Sequence, residues 1–303
     1  MILIAGATGF VGRHLLEQLK EKPVRVRCLV RNADKADQVR ALGFGAVRGD
    51  ITDPSSLENA LAGINTLVHL VGIIEEKGEL SFRNVHVTGT ENLINESIKH
   101  GVKRIIFQSA LGSDINSPFN YLKTKAEAEQ IIISSGIPYT IFRPSLIVGK
   151  GDGFTERVKQ IISAGPAVPV PGNGTARFQP LYINDWVKCF MKVTENNIPP
   201  NRVYTFGGPE QLTYNEILLQ IMKALGINKP VIHIPVNAAR LALPFMGFIG
   251  SIAKILGRKI PPVTNELLSL LNRDNICDEN SVENNFGFTP VRFSDALNEF
   301  ITS

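Results

Sequence analysis

The first twenty residues constrain the fold more than any other part of the chain. The apolar run 2–5 leads directly into glycines at Gly6, Gly9 and Gly12, and an amphipathic stretch follows at 13–20. Gly6 permits a tight turn, Gly9 lets a diphosphate approach the backbone, and Gly12 lets the helix pack on its strand. Three spaced glycines alone are a weak signal, but this position between a strand pattern and a helix pattern predicts a nucleotide-binding loop.

Further contacts to a dinucleotide are expected at the carboxyl ends of the following strands, where ligands of parallel sheets bind. Asp50 lies where the amine of an adenine would be recognised. The full set of expected cofactor-binding residues is Gly6, Thr8, Gly9, Phe10, Val11, Gly12, Arg31, Asn32, Asp50, Ile51, Leu70, Val71, Gly72, Lys125 and Pro144.

The end of the second apolar run, 24–30, favours NADP(H) over the alternative, NAD(H). NAD sites usually carry an acidic residue there, which binds the ribose hydroxyls. This chain has Arg31 and Asn32 instead, and a guanidinium can form paired hydrogen bonds with a 2′-phosphate. Arg13 or Lys35 are possible helpers. The alternative interpretation is that Arg31 is a solvated charge at a strand end.

Apolar and amphipathic segments go on alternating after this unit. Strands are predicted at residues 45–50, 65–72, 104–109 and 139–143, and helices at 33–42, 55–62, 82–100 and 121–134. This alternation predicts an α/β fold with a Rossmann-type, doubly wound parallel sheet.

The pattern changes beyond Gly149, where glycine and proline are frequent at residues 151–174, which predicts a loop-rich stretch without the alternation of strands and helices. Later predicted segments are strands at 202–206 and 231–234, a helix at 214–225 and helices toward the C-terminus. We therefore expect a dinucleotide-binding domain at 1–149, with a return segment near 177–208. Residues 150–176 and 209–303 would form a smaller C-terminal cap on the substrate side.

Composition excludes several classes of protein. A net charge of +4 without a basic block does not suggest a nucleic-acid partner. Three separated cysteines, Cys28, Cys189 and Cys277, indicate a reducing compartment, and no His/Asp/Glu cluster has the spacing of a metal site. Met1 runs directly into the first core strand, so we expect a cytoplasmic protein without a secretory signal.

The apolar stretch 241–256 resembles a membrane segment but is too short to be one. Arg240 and Lys254 enclose only 13 residues, and Pro244 interrupts them. One interpretation is a buried or interface helix. The other is a peripheral contact with a membrane or a membrane complex, because a helix that is apolar all round needs cover.

Tyr121 and Lys125 lie one helical turn apart and are the candidate catalytic pair. A phenol is a poor base at neutral pH, and a nearby ammonium favours the phenolate. Lys125 is also placed to hold the ribose, and Ser109, twelve residues before Tyr121, to bond the substrate oxygen. In the alternative interpretation Tyr121 packs in the core and Lys125 is a surface charge.

At these residues the chain resembles the short-chain dehydrogenase/reductase superfamily, in its extended or atypical branches. The segments that carry the resemblance, in family order, are the glycine turn, Gly49–Asp50, 87–90, Ser109, the Tyr121/Lys125 pair and 142–145. Residues 148–154, 169–174, 182–185 and 262–268 are similar to the group related to an accessory subunit of respiratory complex I. Many members of that group look like NADP(H) binders with little or no turnover. His86 departs from the family pattern, which usually has an asparagine there as part of a proton relay.

Two hypotheses follow. The first is an NADP(H)-dependent oxidoreductase or epimerase-type enzyme that acts on a carbonyl or secondary alcohol of unknown class through Tyr121, Lys125 and Ser109. The second is a non-catalytic NADP(H)-binding protein of a respiratory or other membrane complex. Arg143 and Asp185 are interpreted as structural, and His69 and His233 as core histidines in apolar strands.

Overall fold

Seven parallel strands form the central sheet, in a computed structural model that describes residues 1–195, 199–241 and 264–301. The strands are β1 (Ile2–Ala5), β2 (Val26–Val30), β3 (Gly45–Arg48), β4 (Thr66–His69), β5 (Arg104–Gln108), β6 (Tyr139–Pro144) and β11 (Arg202–Phe206). Their order across the sheet is β11-β6-β5-β4-β1-β2-β3, and the direction in which successive strands are added changes between β1 and β4. The predicted Rossmann-type α/β fold is confirmed.

Helices connect these strands. They are α1 (Phe10–Leu19), α2 (Ala33–Ala41), α3 (Glu58–Leu61), α4 (Gly89–Lys99) and α5 (Asn120–Ser134). The central strands read as continuous apolar runs because helices cover both faces of a doubly wound parallel sheet. Leu3 and Ile4 of β1 and Ile105 of β5, for example, have no exposed surface. Ligand-binding residues therefore follow the carboxyl ends of the strands.

Two predicted helices differ from the structure. The segment 82–100 begins as a π-helical turn, Arg83–Thr88, before α4 continues it. The wider turn buries the consecutive side chains of Val85, His86 and Val87, which the single apolar face of an α-helix would not do. The predicted helix 55–62 divides into a 3-10 turn, Pro54–Ser56, followed by α3.

The chain divides into two compact units, residues 1–144 with 187–206 and residues 145–186 with 207–303. The second unit contains three small ladders, β7 (Ile147–Val148) with β10 (Leu181–Tyr182), β8 (Val168–Pro171) with β13 (Val231–Ile234), and β9 (Arg177–Phe178) with β12 (Leu212–Thr213). Within the described ranges its helices are α6 (Gly153–Ala164), the start of α7 (Ile183–Thr194), α8 (Tyr214–Ala224), α9 (Asn265–Leu270), α10 (Ser281–Phe286) and α11 (Phe293–Phe300).

Two expectations for this unit were wrong. The stretch predicted as loop contains α6, whose N-terminus is capped by the Asp152 carboxylate, an acceptor for the N–H groups of Gly149 and Thr155. His233 is exposed rather than in the core, because β13 pairs with β8 alone and is not buried in a central sheet. Its Nε2 lies 3.2 Å from Asn215 Oδ1.

No helix in the described part of the chain has both the length and the hydropathy to span a membrane. Of the apolar patch predicted at 241–256, only Leu241 belongs to the described residues, and it is exposed. The other residues of that patch lie outside the described ranges.

Candidate cofactor and catalytic site

The glycine turn is packed too closely for any side chain. Gly6 has a φ of +92°, and a Cβ there would lie 2.9 Å from the carbonyl carbon of Leu70. A Cβ on Gly12 would lie 2.3 Å from the carbonyl oxygen of Gly6. These neighbours are backbone atoms, so they cannot move aside as a flexible side chain would. The glycine turn can therefore pack against the first turn of α1 and against Leu70, which follows β4, only because Gly6 and Gly12 have no side chain.

The N-terminus of α1 is left open. Its capping residue, Gly9, has no side chain to accept from the first N–H groups, and no acidic residue lies in the first turn. The unpaired N–H groups and the positive end of the helix dipole therefore remain available to an anion. This arrangement, next to Thr8, Phe10 and Val11, fits the diphosphate of a dinucleotide.

Two exposed arginines lie at the ends of the neighbouring strands β2 and β3, offset by one residue in the register. Arg31 is exposed and follows Val30 directly, and Val30 pairs in register with Arg48, which is also exposed. Arg31 was predicted from the sequence, and Arg48 was not. The sequence did offer one signal, which is a basic residue near the end of the third predicted strand. Only the strand register shows that this strand pairs with β2. Asn32 caps α2 by accepting from Lys35 N–H at 3.0 Å.

The segment after β3 is fixed by local hydrogen bonds. Asp50 Oδ1 accepts from the backbone N–H and the hydroxyl of Thr52, at 2.9 and 2.8 Å. Ile51 is buried against Gly89, where a Cβ would lie 2.5 Å from Ile51 Cδ1. The Asp50 carboxylate is thus held in place at the carboxyl edge of the sheet before any ligand binds.

The end of β4 brings the expected cofactor residues to the expected catalytic lysine. Leu70 N–H donates to Ala5 at 2.9 Å and extends the sheet toward Val71 and Gly72. A Cβ on Gly72 would lie 3.6 Å from Lys125 Nζ and 3.5 Å from His86 Nε2. The strand end and helix α5 therefore meet at Gly72.

Lys125 is buried and points back to β5. Its Nζ donates to the carbonyl oxygen of Gln108 at 2.6 Å and lies 4.4 Å from the centre of the Phe107 ring. Burial lowers the pKa of Lys125 to about 7, and the charge of Glu129 partly opposes that shift. Both the ammonium and the amine are consequently accessible near neutral pH.

Tyr121 is half-buried beside two aromatic rings. The edges of the rings of His86 and Phe82 meet it at centroid distances of 5.7 and 5.9 Å. Burial raises the pKa of Tyr121 to about 12, which is opposite to the direction expected from the sequence. The expectation counted the charge of Lys125 and left out desolvation of the phenolate, and desolvation dominates.

Ser109 and Pro144 lie on neighbouring strand ends. Ser109 N–H donates to Phe142 at 2.7 Å, and the carbonyl of Pro144 accepts from Leu111 at 3.0 Å. The Ser113 hydroxyl donates to Ala110 at 2.8 Å and lies 3.1 Å from Ser109 Oγ. Ser113 has one proton to give, so the Ser109 hydroxyl is the donor in that contact and keeps its lone pairs.

His86 links the strand end to helix α5 as a neutral imidazole. Its Nε2 accepts from Ile73 N–H at 3.0 Å, so Nδ1 carries the proton. That proton goes to Thr124 Oγ1, 3.0 Å away, since the Thr124 hydroxyl itself donates to Asn120 at 2.7 Å. Burial, followed by the charge of Lys125, lowers the pKa of His86 to about 3.

His69 is a core histidine, as predicted, but only one of its nitrogens is hydrogen-bonded. Nε2 lies 3.0 Å from the hydroxyl of Thr90, which donates its own proton to the carbonyl of His86. Nδ1 is buried without a partner among the described residues. Burial, then the charges of Lys125 and His86, hold the pKa of His69 well below its usual value. The sequence carried no signal that His69 and His86 share one network.

Acid should destabilise the fold through His86. Its pKa is lowered in the folded protein, so the unfolded chain binds more protons between pH 6.5 and pH 3, and stability falls as the pH drops through that window. From pH 7 to pH 5 we expect a loss of about 2 kcal/mol from this group. Urea unfolding at both pH values, in wild type and in His86→Asn, measures it.

In His86→Asn the amide oxygen can still accept from Ile73, but nothing titrates, so the difference between the two pH values should shrink by that amount. An unchanged pH dependence in the variant would show that His86 is not the group responsible. His100→Asn is the matched control, because His100 lies at the end of α4 with a side chain one-quarter exposed.

Arg143 and Asp185 have structural partners. The Arg143 guanidinium binds both oxygens of the buried Glu129 carboxylate, at 2.9 and 2.5 Å. Asp185 Oδ2 accepts from Val291 N–H at 2.7 Å. Among the described residues, no three His, Cys, Asp or Glu side chains are grouped to hold a metal ion.

Residues 6–166 match the NAD(P)H-binding family, which spans more than half of the chain. The chain belongs to this family. The predicted resemblance to the extended branch of the short-chain dehydrogenase/reductase superfamily, and to the group related to an accessory subunit of NADH dehydrogenase, is confirmed by the relatives that the chain matches. Its fold binds NAD(P), and its relatives include oxidoreductases and epimerases.

Curated relatives include that accessory subunit, NADH dehydrogenase [ubiquinone] 1 alpha subcomplex subunit 9, from Arabidopsis thaliana. It is 28% identical over 71% of this chain and 55% of its own length; the Dictyostelium discoideum protein is 27% identical over 72% and 62%. The chain thus spans less than two thirds of these relatives. A 3-beta-hydroxysteroid dehydrogenase from Mycolicibacterium neoaurum is 26% identical over 96% of this chain and 87% of its own.

Solved structures share the fold at low identity. The NADPH complex of a quinone oxidoreductase from Escherichia coli has a TM-score of 0.75 at 21% identity, covering 99% of both chains. A UDP-glucose 4-epimerase from Thermotoga maritima has the same score at 18% identity, covering 99% of this chain and 97% of its own.

Proposed function

We propose that this protein is an NADP(H)-dependent oxidoreductase or epimerase-type enzyme that acts on a carbonyl or a secondary alcohol. The observation that carries the proposal is the position of Lys125. Its ammonium lies beside Gly72 at the end of β4 and within one helical turn of Tyr121. The residues proposed to bind the cofactor and to transfer the proton thus lie at the same end of the parallel strands.

Tyr121 is the proposed acid and base. With a pKa of about 12 the phenol is protonated at neutral pH, so it is ready to donate a proton to a carbonyl oxygen. A bound nicotinamide supplies the hydride chemistry at this edge. Ser109 is the proposed ligand of the substrate oxygen. Its lone pairs can accept from the hydroxyl of a secondary alcohol, and its own proton reaches a carbonyl oxygen when it turns away from Ser113. Lys125 is the proposed electrostatic partner of the phenol and the donor to the ribose.

The preference for NADP(H) is proposed to rest on Arg31 and Arg48. Arg31→Ala and Arg48→Ala should each weaken NADPH binding about 10- to 100-fold, since hydrogen bonds to charged groups contribute about 1.5–3 kcal/mol. The affinity for NADH should change little, because NADH lacks the 2′-phosphate. Titration with each coenzyme, followed by intrinsic fluorescence, measures the ratio of the NADPH and NADH affinities.

Arg202→Ala is the matched control, since Arg202 is exposed at the start of β11, the other edge strand of the sheet. Equal losses for NADPH and NADH in Arg31→Ala would mean that the guanidinium does not recognise the 2′-phosphate.

Substrate selection is assigned in this proposal to residues 150–176 and 209–303. A survey of carbonyl compounds, followed through NADPH absorbance, tests the activity. Ketones and quinones are followed in this way, whereas nucleotide sugars are followed by product analysis, because an epimerase returns the hydride to the sugar and leaves the NADPH absorbance unchanged. NADPH consumption that depends on one carbonyl class supports the enzyme.

A second candidate is a non-catalytic NADP(H)-binding protein that associates with a respiratory or other membrane complex. It is favoured by the names of two relatives, which are accessory subunits of NADH dehydrogenase. Peripheral contact through residues 241–256 belongs to this candidate. Tight NADPH binding without turnover of any carbonyl class would favour it over the enzyme.

A further inference from the structure

A groove of about 660 Å³ lies at the amino ends of β1, β2 and β3. The end of α1, the residues that lead into β2 and the turn before β3 line it, and no acidic side chain is part of the lining. The proposed cofactor site occupies the carboxyl ends of these parallel strands, at the other edge of the sheet. The groove is therefore separate from that site and is not used by the proposed function.

Three cations line the groove, and Glu21, which is exposed between two of them in sequence, is not part of the lining. Lys20, Lys22 and Arg25 line it and are exposed, and none of them forms an ion pair or a side-chain hydrogen bond within the described ranges. A fourth cation, Arg27, is committed to the fold, since its guanidinium donates to carbonyls at the end of α3, at 2.9 Å from both Ala60 and Ala62. Lys20, Lys22 and Arg25 are therefore available to an anionic partner.

Apolar side chains are exposed on the same groove. Met1 and Val24 are 39% and 40% exposed, although both belong to large hydrophobic residue types. Val24 lies in sequence between Lys22 and Arg25, and the half-buried Phe44 lines the groove as well. Cations and apolar groups thus face solvent together.

We propose that this basic groove, defined by Lys20, Lys22, Val24, Arg25 and Phe44, docks the protein on an anionic phospholipid surface. Basic side chains attract the headgroups of anionic lipids, and neighbouring apolar side chains enter the boundary between headgroups and acyl chains. Docking by this edge leaves the carboxyl edge of the same sheet free for the dinucleotide.

A lipid surface fits the groove better than a small free anion does. Helices α1 and α2 end at the groove, so the negative ends of two helix dipoles lie near it. A free phosphate that entered the groove would lie close to both negative ends, which disfavours its binding there. Long lysine and arginine side chains instead extend outward to headgroups at the rim while their methylene groups cover apolar surface.

Sedimentation with vesicles tests the proposal on the full chain. Vesicles of phosphatidylcholine alone are compared with vesicles in which about 30% of the lipid is the anionic phosphatidylglycerol. Each Lys or Arg near an anionic surface contributes about 1 kcal/mol, a factor of about five, so Lys22→Gln/Arg25→Gln should lower the partition coefficient about 25-fold. Val24→Ser should lower it further.

Lys223→Gln/Arg202→Gln is the matched control, with the same loss of charge at exposed positions outside the groove. Control binding at the wild-type level, together with loss in the groove variant and unchanged thermal unfolding, supports the proposal. Equal partition onto both vesicle types, or full binding by the groove variant, overturns it. Competition by millimolar inorganic phosphate without an equal effect of chloride would identify a free anion as the ligand and would overturn the lipid surface.

Discussion

Tyr121→Phe is expected to lower the turnover of the carbonyl substrate by a factor of about 10²–10⁴, the usual contribution of a positioned general acid. The variant removes one hydroxyl and leaves the ring in its edge contacts with His86 and Phe82, so NADPH affinity and the unfolding temperature should be retained. Steady-state kinetics with NADPH titration separate the two effects: kcat should fall and coenzyme binding should not.

Tyr139→Phe is the matched control, because Tyr139 is a half-buried tyrosine on β6 of the same unit. Turnover that survives in Tyr121→Phe would remove the phenol from the mechanism. If instead the wild type binds NADPH and turns over no carbonyl, the second candidate gains, and Tyr121 is then a packing residue.

Gly12→Ala is expected to abolish tight NADPH binding, with at least a 100-fold loss of affinity, because its methyl group would lie 2.3 Å from the Gly6 carbonyl oxygen and 2.7 Å from two backbone atoms of Ala7. To accommodate the methyl group, α1 must move away from the turn that holds the diphosphate. Overpacking of this kind also destabilises folds by about 1–3 kcal/mol. Thermal unfolding with and without NADPH measures both quantities in one experiment.

Gly153→Ala provides the comparison, since a Cβ at the start of α6 meets no atom within 4 Å and the backbone there has no positive φ. It should leave stability and binding near wild type. Normal NADPH protection in Gly12→Ala would show that the glycine turn does not form the diphosphate site.

The regular elements of the sheet were accessible from sequence because their signal is local. The strand predicted at 202–206 has the observed bounds, and the first strand follows the apolar run 2–5. Helix α6 in the segment 151–174 was not predicted because the glycines and prolines around it indicate loop, and they outweighed the helix-capping signal of Asp152. His233 was misjudged because an apolar run does not reveal whether its strand will be central or paired on one side only.

The candidate site divides in the same way. The glycine turn and the Tyr121/Lys125 spacing depend on residues that are close in sequence, where chain geometry alone fixes the distances. Arg48 was missed because its position beside Arg31 follows from strand register. The direction of the Tyr121 pKa shift was wrong because burial is set by Phe82 and His86, which come from another helix.

The sequence by itself determined the order of strands and helices, the glycine turn and the positions of the titratable groups along the chain. Tertiary structure decided which of those groups are neutral. It places Lys125 on the carbonyl of Gln108, gives His86 the tautomer that Ile73 and Thr124 require, and buries His69 against Thr90. The physical reason is that periodicity and turn chemistry act over a few residues, whereas desolvation and charge act between segments that only folding brings into contact.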